Sequence, residues 1–116
     1  MNKILNFFPY YKNLLLKGKK NTTIRLPNCN HSFTKGEIVS ITTGWSEDSC
    51  IELFKAKIIS IETRKINELN EEDLEGESPD CKSIDAILYV IGCIYRKVLA
   101  LSDEIKVIKF KKYKGK

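Results

Sequence analysis

Within "LLLKGKKNTTIRL", Leu14 to Leu26, two ammonium groups, a hydroxyl and a guanidinium follow one another closely, as Lys19, Lys20, Thr23 and Arg25, with no acidic residue among them. Such donors suit an anionic or strongly polar ligand, because charged N–H groups form the stronger hydrogen bonds to phosphate and carboxylate oxygens. After Asn21 the residues alternate, so Thr23 and Arg25 share one face of a strand and Thr22, Ile24 and Leu26 share the other. Lys19 and Lys20 precede the strand in a turn and are not bound by its parity. The same residues also fit a plainer description, a solvated strand face after an exposed basic turn.

Elements on either side must hold this stretch in place. Pro9 can open a short helix, "PYYKNLLLKG", with Leu14, Leu15 and Leu16 as its apolar surface and Gly18 just past its end. "FTKGEIVSIT" reads as a turn at Lys35 and Gly36 followed by a strand. "LFKAKIISIETRKI" reads as a longer strand, with Ile59 and Ile61 opposite Ile58. The loop "TGWSEDSC" between them carries the only tryptophan, Trp45, which can stack on a base or cap the core. Asn70 can cap a helical turn, "EEDLEGE", that Gly76 ends. Ser83 can cap a helix whose Ile84, Ile87, Leu88, Ile91 and Tyr95 form a core-facing stripe. A last strand lies around "EIKVIKF". The expected fold class is α+β, a small curled β-barrel with flanking helices.

The 116 residues, 42% of them hydrophobic, suit a single domain, 1–116, with a basic C-terminal tail from about residue 111. The apolar runs are too short to cross a bilayer and the first residues lack a signal-peptide cleavage site, so the expectation is a cytoplasmic protein without membrane contact. Cys29, Cys50, Cys81 and Cys93 stand far apart, as free thiols would. Cys29 and His31 form a CxH pair without further ligands at suitable spacing, so no metal and no cofactor is expected. Charge is segregated. Seven basic residues and no acidic one lie between Met1 and Gly36, whereas eight acidic residues lie between Glu62 and Asp80. That pattern can guide a polyanion to one face, which makes RNA or a nucleotide a candidate partner, though a solvated surface has the same composition.

The order helix, "GKKNTTIRL", "FTKGEIVSI", "AKIISIETRKINELNEEDLEGE" and a C-terminal "IKVIKF" strand resembles the ASCH domain family, a branch of the PUA-like barrels. Gly18, Lys20 and Arg25 match its GxKxxxxR-type motif, and Lys35, Gly36 and Glu37 match its turn before a strand. Within that family the chain is similar to small bacterial amidohydrolases that deacylate N(4)-acetylcytidine, whose "GRKTITIR"-like segment is "GKKNTTIR" here. The resemblance implies functional roles for Lys20 and Thr23, and for Glu77 in the acidic turn, with Glu75 only two residues away. Asn21, the loop around Trp45 and the stretch between Cys81 and Leu101 depart from the pattern.

Amide hydrolysis needs a nucleophile, a group that takes its proton and returns one to the leaving amine, and donors for the oxyanion. On that reading Thr23 supplies the hydroxyl and Lys20 acts as its base. Glu77 orients Lys20 or carries a proton to the leaving nitrogen, and Arg25 binds a phosphate or holds the glutamate. Lys19 and Trp45 are further ligand-binding candidates. Three functions are thus in view. The first is a pocket that binds RNA or a modified nucleoside or nucleotide. The second is an amidohydrolase using Lys20, Thr23 and Glu77, and the third is a protein interaction adaptor.

Overall fold

The computed structural model describes residues 3–27, 33–77 and 82–114. Five strands form one curled, half-barrel sheet in the order β1-β3-β4-β5-β2, where β1 is Lys3–Phe7, β2 Thr22–Arg25, β3 Ile38–Thr43, β4 Ile51–Lys65 and β5 Glu104–Lys112. Only β1 and β3 pair in parallel; the other neighbours are antiparallel. The curl comes from β4. Its first half pairs with β3 and its second half with β5, so one long strand passes from one wall to the other. Bulges help it bend, as an extra residue on one strand does.

One bulge corrects the sequence reading. The β4–β5 register passes from Ile58 opposite Phe110 to Ser60 opposite Lys109, leaving Ile59 unpaired and half exposed. The inserted residue resets the alternation, so Ile61 packs against the same cluster as Ile58 instead of facing away from it. A second difference is β1, which the sequence reading does not assign. Its Leu5 and Phe7 are buried in that cluster. A third lies at the other end, where β5 continues through Lys112, past the start assigned to the basic tail.

The sheet buries apolar residues on both faces. Inside the curl, Leu5, Phe7, Val39, Ile41, Ile58, Ile108 and Phe110 surround Tyr11 and Leu15. Tyr11 ends a 3₁₀ turn begun by Pro9, and Leu15 comes from the helix α1, Lys12–Leu16. Of the three leucines expected to cover the core, Leu15 is fully buried, Leu14 is partly buried and Leu16 is exposed. Gly18, at φ 72°, takes the left-handed conformation that lets the chain turn out of α1 into β2.

On the other face Ile24, Ile105 and Val107 pack against Ile87 and Ile91 of α3, Ile84–Tyr95. Ser83 caps α3 as expected, its hydroxyl accepting from the Ala86 N–H at 3.1 Å. The acidic helix α2, Glu71–Glu75, is capped by a reciprocal pair: Asn70 accepts from the Asp73 N–H at 3.0 Å, and Asp73 accepts from the Asn70 N–H at 3.1 Å. Arg64, near the end of β4, places its Nε 3.0 Å from the Asp73 carboxylate and so ties α2 to the sheet.

No described helix is long and apolar enough to cross a membrane. Among the cysteines, Cys93 is an exposed free thiol and Cys50 is half-buried, whereas Cys29 and Cys81 lie outside the described residues.

Candidate functional site

The site forms where the two edge strands of the half-barrel approach one another. Arg25, the last residue of β2, donates from Nη2 to the Asn6 carbonyl of β1 at 2.7 Å, and its guanidinium lies 5.0 Å from the centre of the Phe7 ring. Its Nε donates to the Thr23 hydroxyl at 3.2 Å, as two residues on one strand face can do. The Thr23 hydroxyl donates to no protein acceptor among the described residues.

Lys20 and Thr23 are not an exposed turn and a solvated strand face. Lys20 retains only 4% of its surface, Thr23 5% and Glu77 3%. The Lys20 ammonium is ion-paired to Glu77, donates to the Thr22 carbonyl at 3.3 Å, and lies 5.1 and 5.5 Å from the centres of the Tyr11 and Phe7 rings. Aromatic faces attract a cation, which lessens the penalty of taking an ammonium out of water.

Glu77 reaches the pair because α2 stops at Gly76. The Gly76 carbonyl accepts from the N–H groups of Asn21 (2.9 Å) and Thr22 (3.1 Å), joining the end of the acidic turn to the start of β2. A Cβ on residue 76 would collide with the Asn21 side chain and stand 2.5 Å from the Thr22 hydroxyl. The Glu77 carboxylate then bonds Lys20 through Oε1 and accepts from the Ile24 N–H through Oε2 at 3.2 Å. Glu75, the other candidate, is exposed at the end of α2, away from the pair.

These groups open into a cavity of about 100 Å³. By the same measure one water needs only ~10–15 Å³, so there is room for several waters or a small planar group. Lys20, Thr23, Arg25 and Glu77 supply its polar wall, while Phe7, Phe8 and Tyr11 on one side and Ile91, Ile94 and Tyr95 of α3 on the other supply its apolar wall. A largely apolar hollow with a few converging polar groups is the usual form of a small-molecule site.

Lys19 and Trp45 do not line this cavity. Lys19 is exposed beside it in sequence, and Trp45 is 71% exposed with its ring 5.6 Å from that of Phe8, so it touches the wall from outside. The apolar wall was missed in the sequence. The adjacent aromatics Phe7 and Phe8, with Tyr11 a few positions on, are the signal that could have found it. Among the described residues no three His, Cys, Asp or Glu side chains cluster closely enough to hold a metal, and the Cys29–His31 pair lies outside them.

No protein-family model and no curated protein matches the sequence. The fold is that of an ASCH domain, of the α+β, PUA-like kind. A crystal structure of an ASCH domain from Lactobacillus crispatus JV V101 superposes with a TM-score of 0.68 over 95% of this chain and 79% of that one, at 15% identity. A protein from Enterococcus faecalis V583, of the family model DUF984, superposes with the same TM-score over 100% of this chain and 84% of that one, also at 15% identity.

Proposed function

We propose that the chain binds a nucleoside or nucleotide, free or within RNA, in the cavity between β1, β2 and α3. The observation that carries this reading is the convergence of Lys20, Thr23, Arg25 and Glu77 on one aromatic-walled hollow. A buried ion pair is a poor source of stability compared with apolar side chains of the same volume, so a pair kept at the edge of a cavity calls for a use other than holding the fold. A heterocycle carrying both donors and acceptors fits. Its ring lies against the aromatic and aliphatic wall, and its polar edge meets a carboxylate, an ammonium and a hydroxyl. Calorimetric titration with cytidine, cytidine monophosphate and N(4)-acetylcytidine at low salt tests this. Saturable binding that Thr23→Val weakens is expected; no heat with any of the three, and no affinity for single-stranded RNA, overturns it.

Amide hydrolysis is the second reading, favoured because Lys20, Thr23 and Glu77 line the same cavity. Transfer of a proton within the ion pair, from the Lys20 ammonium to Glu77, gives the reacting state with a free Lys20 amine. Lys20 takes the Thr23 proton as Oγ1 bonds to the acyl carbon; the C–N bond breaks and Glu77 protonates the departing amine. Water then attacks the acyl-threonine and gives a proton to Glu77, while Lys20 returns one to Oγ1, restoring the reacting state. Release of cytidine from N(4)-acetylcytidine supports this mechanism, and binding without release rules it out for that substrate.

A further inference from the structure

We infer that α3 is a self-association surface, through which two copies of the chain pack antiparallel about a two-fold axis. This goes beyond the cavity and is independent of what the cavity binds.

One face of α3 is spent on the core through Ile87 and Ile91, with Leu88 partly packed against it at the flank, but the outer side carries Asp85, Tyr89, Gly92 and Cys93, with Arg96 just past the helix end. Those within the helix recur at the three- and four-residue spacing of one helical stripe; Arg96 follows in the left-handed conformation that ends the helix, and all of them line a single shallow depression. The middle of the stripe is apolar or small and unusually open: Tyr89 is 74% exposed, Cys93 is exposed, and Val98 beside the depression is 95% exposed. A cluster of this kind on a small domain marks a contact surface.

The charges at its ends identify the occupant. The acidic residue, Asp85, is in the first turn, and the basic ones, Arg96 and Lys97, follow the last. A two-fold interface requires a patch complementary to itself, in which residue i meets j and j meets i. An antiparallel pair of α3 helices centred between Tyr89 and Gly92 satisfies this at every level. Asp85 of each copy faces Arg96 of the other, Leu88 faces Cys93, and the Tyr89 ring lies against the turn beside Gly92, whose Cα the Lys97 carbonyl covers. A foreign partner would need no such internal symmetry.

Twelve residues of helix extend about 18 Å, which makes for a small interface and a reversible dimer with a dissociation constant above about 1 μM. The other side of the helix supplies Ile91, Ile94 and Tyr95 to the cavity, so association would brace one cavity wall.

Sedimentation velocity on the full chain, from about 5 to about 500 μM, tests the inference. The mass is expected to rise from 13.4 kDa towards twice that value. Asp85→Lys, which places a cation opposite Arg96, should raise the dissociation constant at least about tenfold, as should Tyr89→Lys. Asp85→Lys combined with Arg96→Glu should recover most of the loss, which a folding defect would not do. A chain that stays monomeric at the highest concentration overturns the inference. So does association that these substitutions leave unchanged.

Discussion

Arg25 and Asn6 connect the first and last strands in the sheet order: the guanidinium of β2 donates to the backbone carbonyl of β1 at 2.7 Å. β1 and β2 share no strand pairing, so this hydrogen bond spans the open seam of the half-barrel, beside the cavity. Replacing Arg25 with Met keeps much of the aliphatic stem over Phe7 but removes the donors to Asn6 and Thr23. Hydrogen bonds from charged groups contribute ~1.5–3 kcal/mol each, and a loss in the lower half of that range is expected here. Urea unfolding measures it. Amide exchange should quicken at β1 more than at β4 or β5; uniform protection would show that the seam is held by other contacts.

The buried Lys20–Glu77 pair joins residues 57 apart in sequence, with each partner almost completely withdrawn from water. Breaking such a pair strands a charge. Glu77→Gln and Lys20→Met should each destabilise the fold by about 3–5 kcal/mol, while the double variant should lose much less than the sum. Denaturant melts of all four proteins complete the cycle. Strict additivity would mean that the two groups do not depend on one another.

Thr23→Val preserves shape and burial but removes the hydroxyl. Stability should fall by ~1.5–3 kcal/mol, the contribution of the single hydrogen bond from the charged Arg25 guanidinium. Affinity for a bound nucleoside should fall about tenfold, and any amide hydrolysis should cease. Ligand affinity unchanged from the wild type would remove Thr23 from the site.

Residues whose roles are local were legible in the sequence. Asn70 and Ser83 cap helices because a short polar side chain reaches an N–H a few residues on, and Gly18 turns because φ is positive there. Thr23 and Arg25 share a face for the equally local reason of strand alternation. The rest depended on distant pairings. β1 gains its strand character from β3, more than thirty residues later, in parallel register. The bulge at Ile59 exists only relative to β5, and no spacing within β4 announces it. The arrival of Glu77 at Lys20 depends on the Gly76 carbonyl meeting two N–H groups of the Asn21–Thr22 segment. The sequence resemblance indicated that acidic turn and left Glu75 and Glu77 both open; geometry distinguished them.

A pH-dependent effect is expected at Glu37, beside the turn that leads into β3. Partial burial opposes its charge, but the Thr34 N–H, Lys3 and the Thr34 hydroxyl outweigh that effect and hold the carboxyl below its ordinary 4.5. Lys3 stands 3.2 Å from one oxygen, and the Thr34 N–H donates to the other at 3.0 Å. A carboxyl depressed in the folded state binds fewer protons there than in the unfolded chain. Its contribution is therefore complete above the unfolded value and is lost as pH falls through the folded one. Glu37→Gln should cost less than ~1 kcal/mol near neutral pH, since the pair is partly exposed and salt-screened. The difference from wild type should stay level down to about pH 5 and shrink below that, as the wild-type carboxyl protonates. Urea melts of both proteins at several pH values provide the comparison. A penalty as large at pH 3 as at pH 7 would mean that the carboxylate charge does not contribute, and that only the shape of residue 37 matters to the turn.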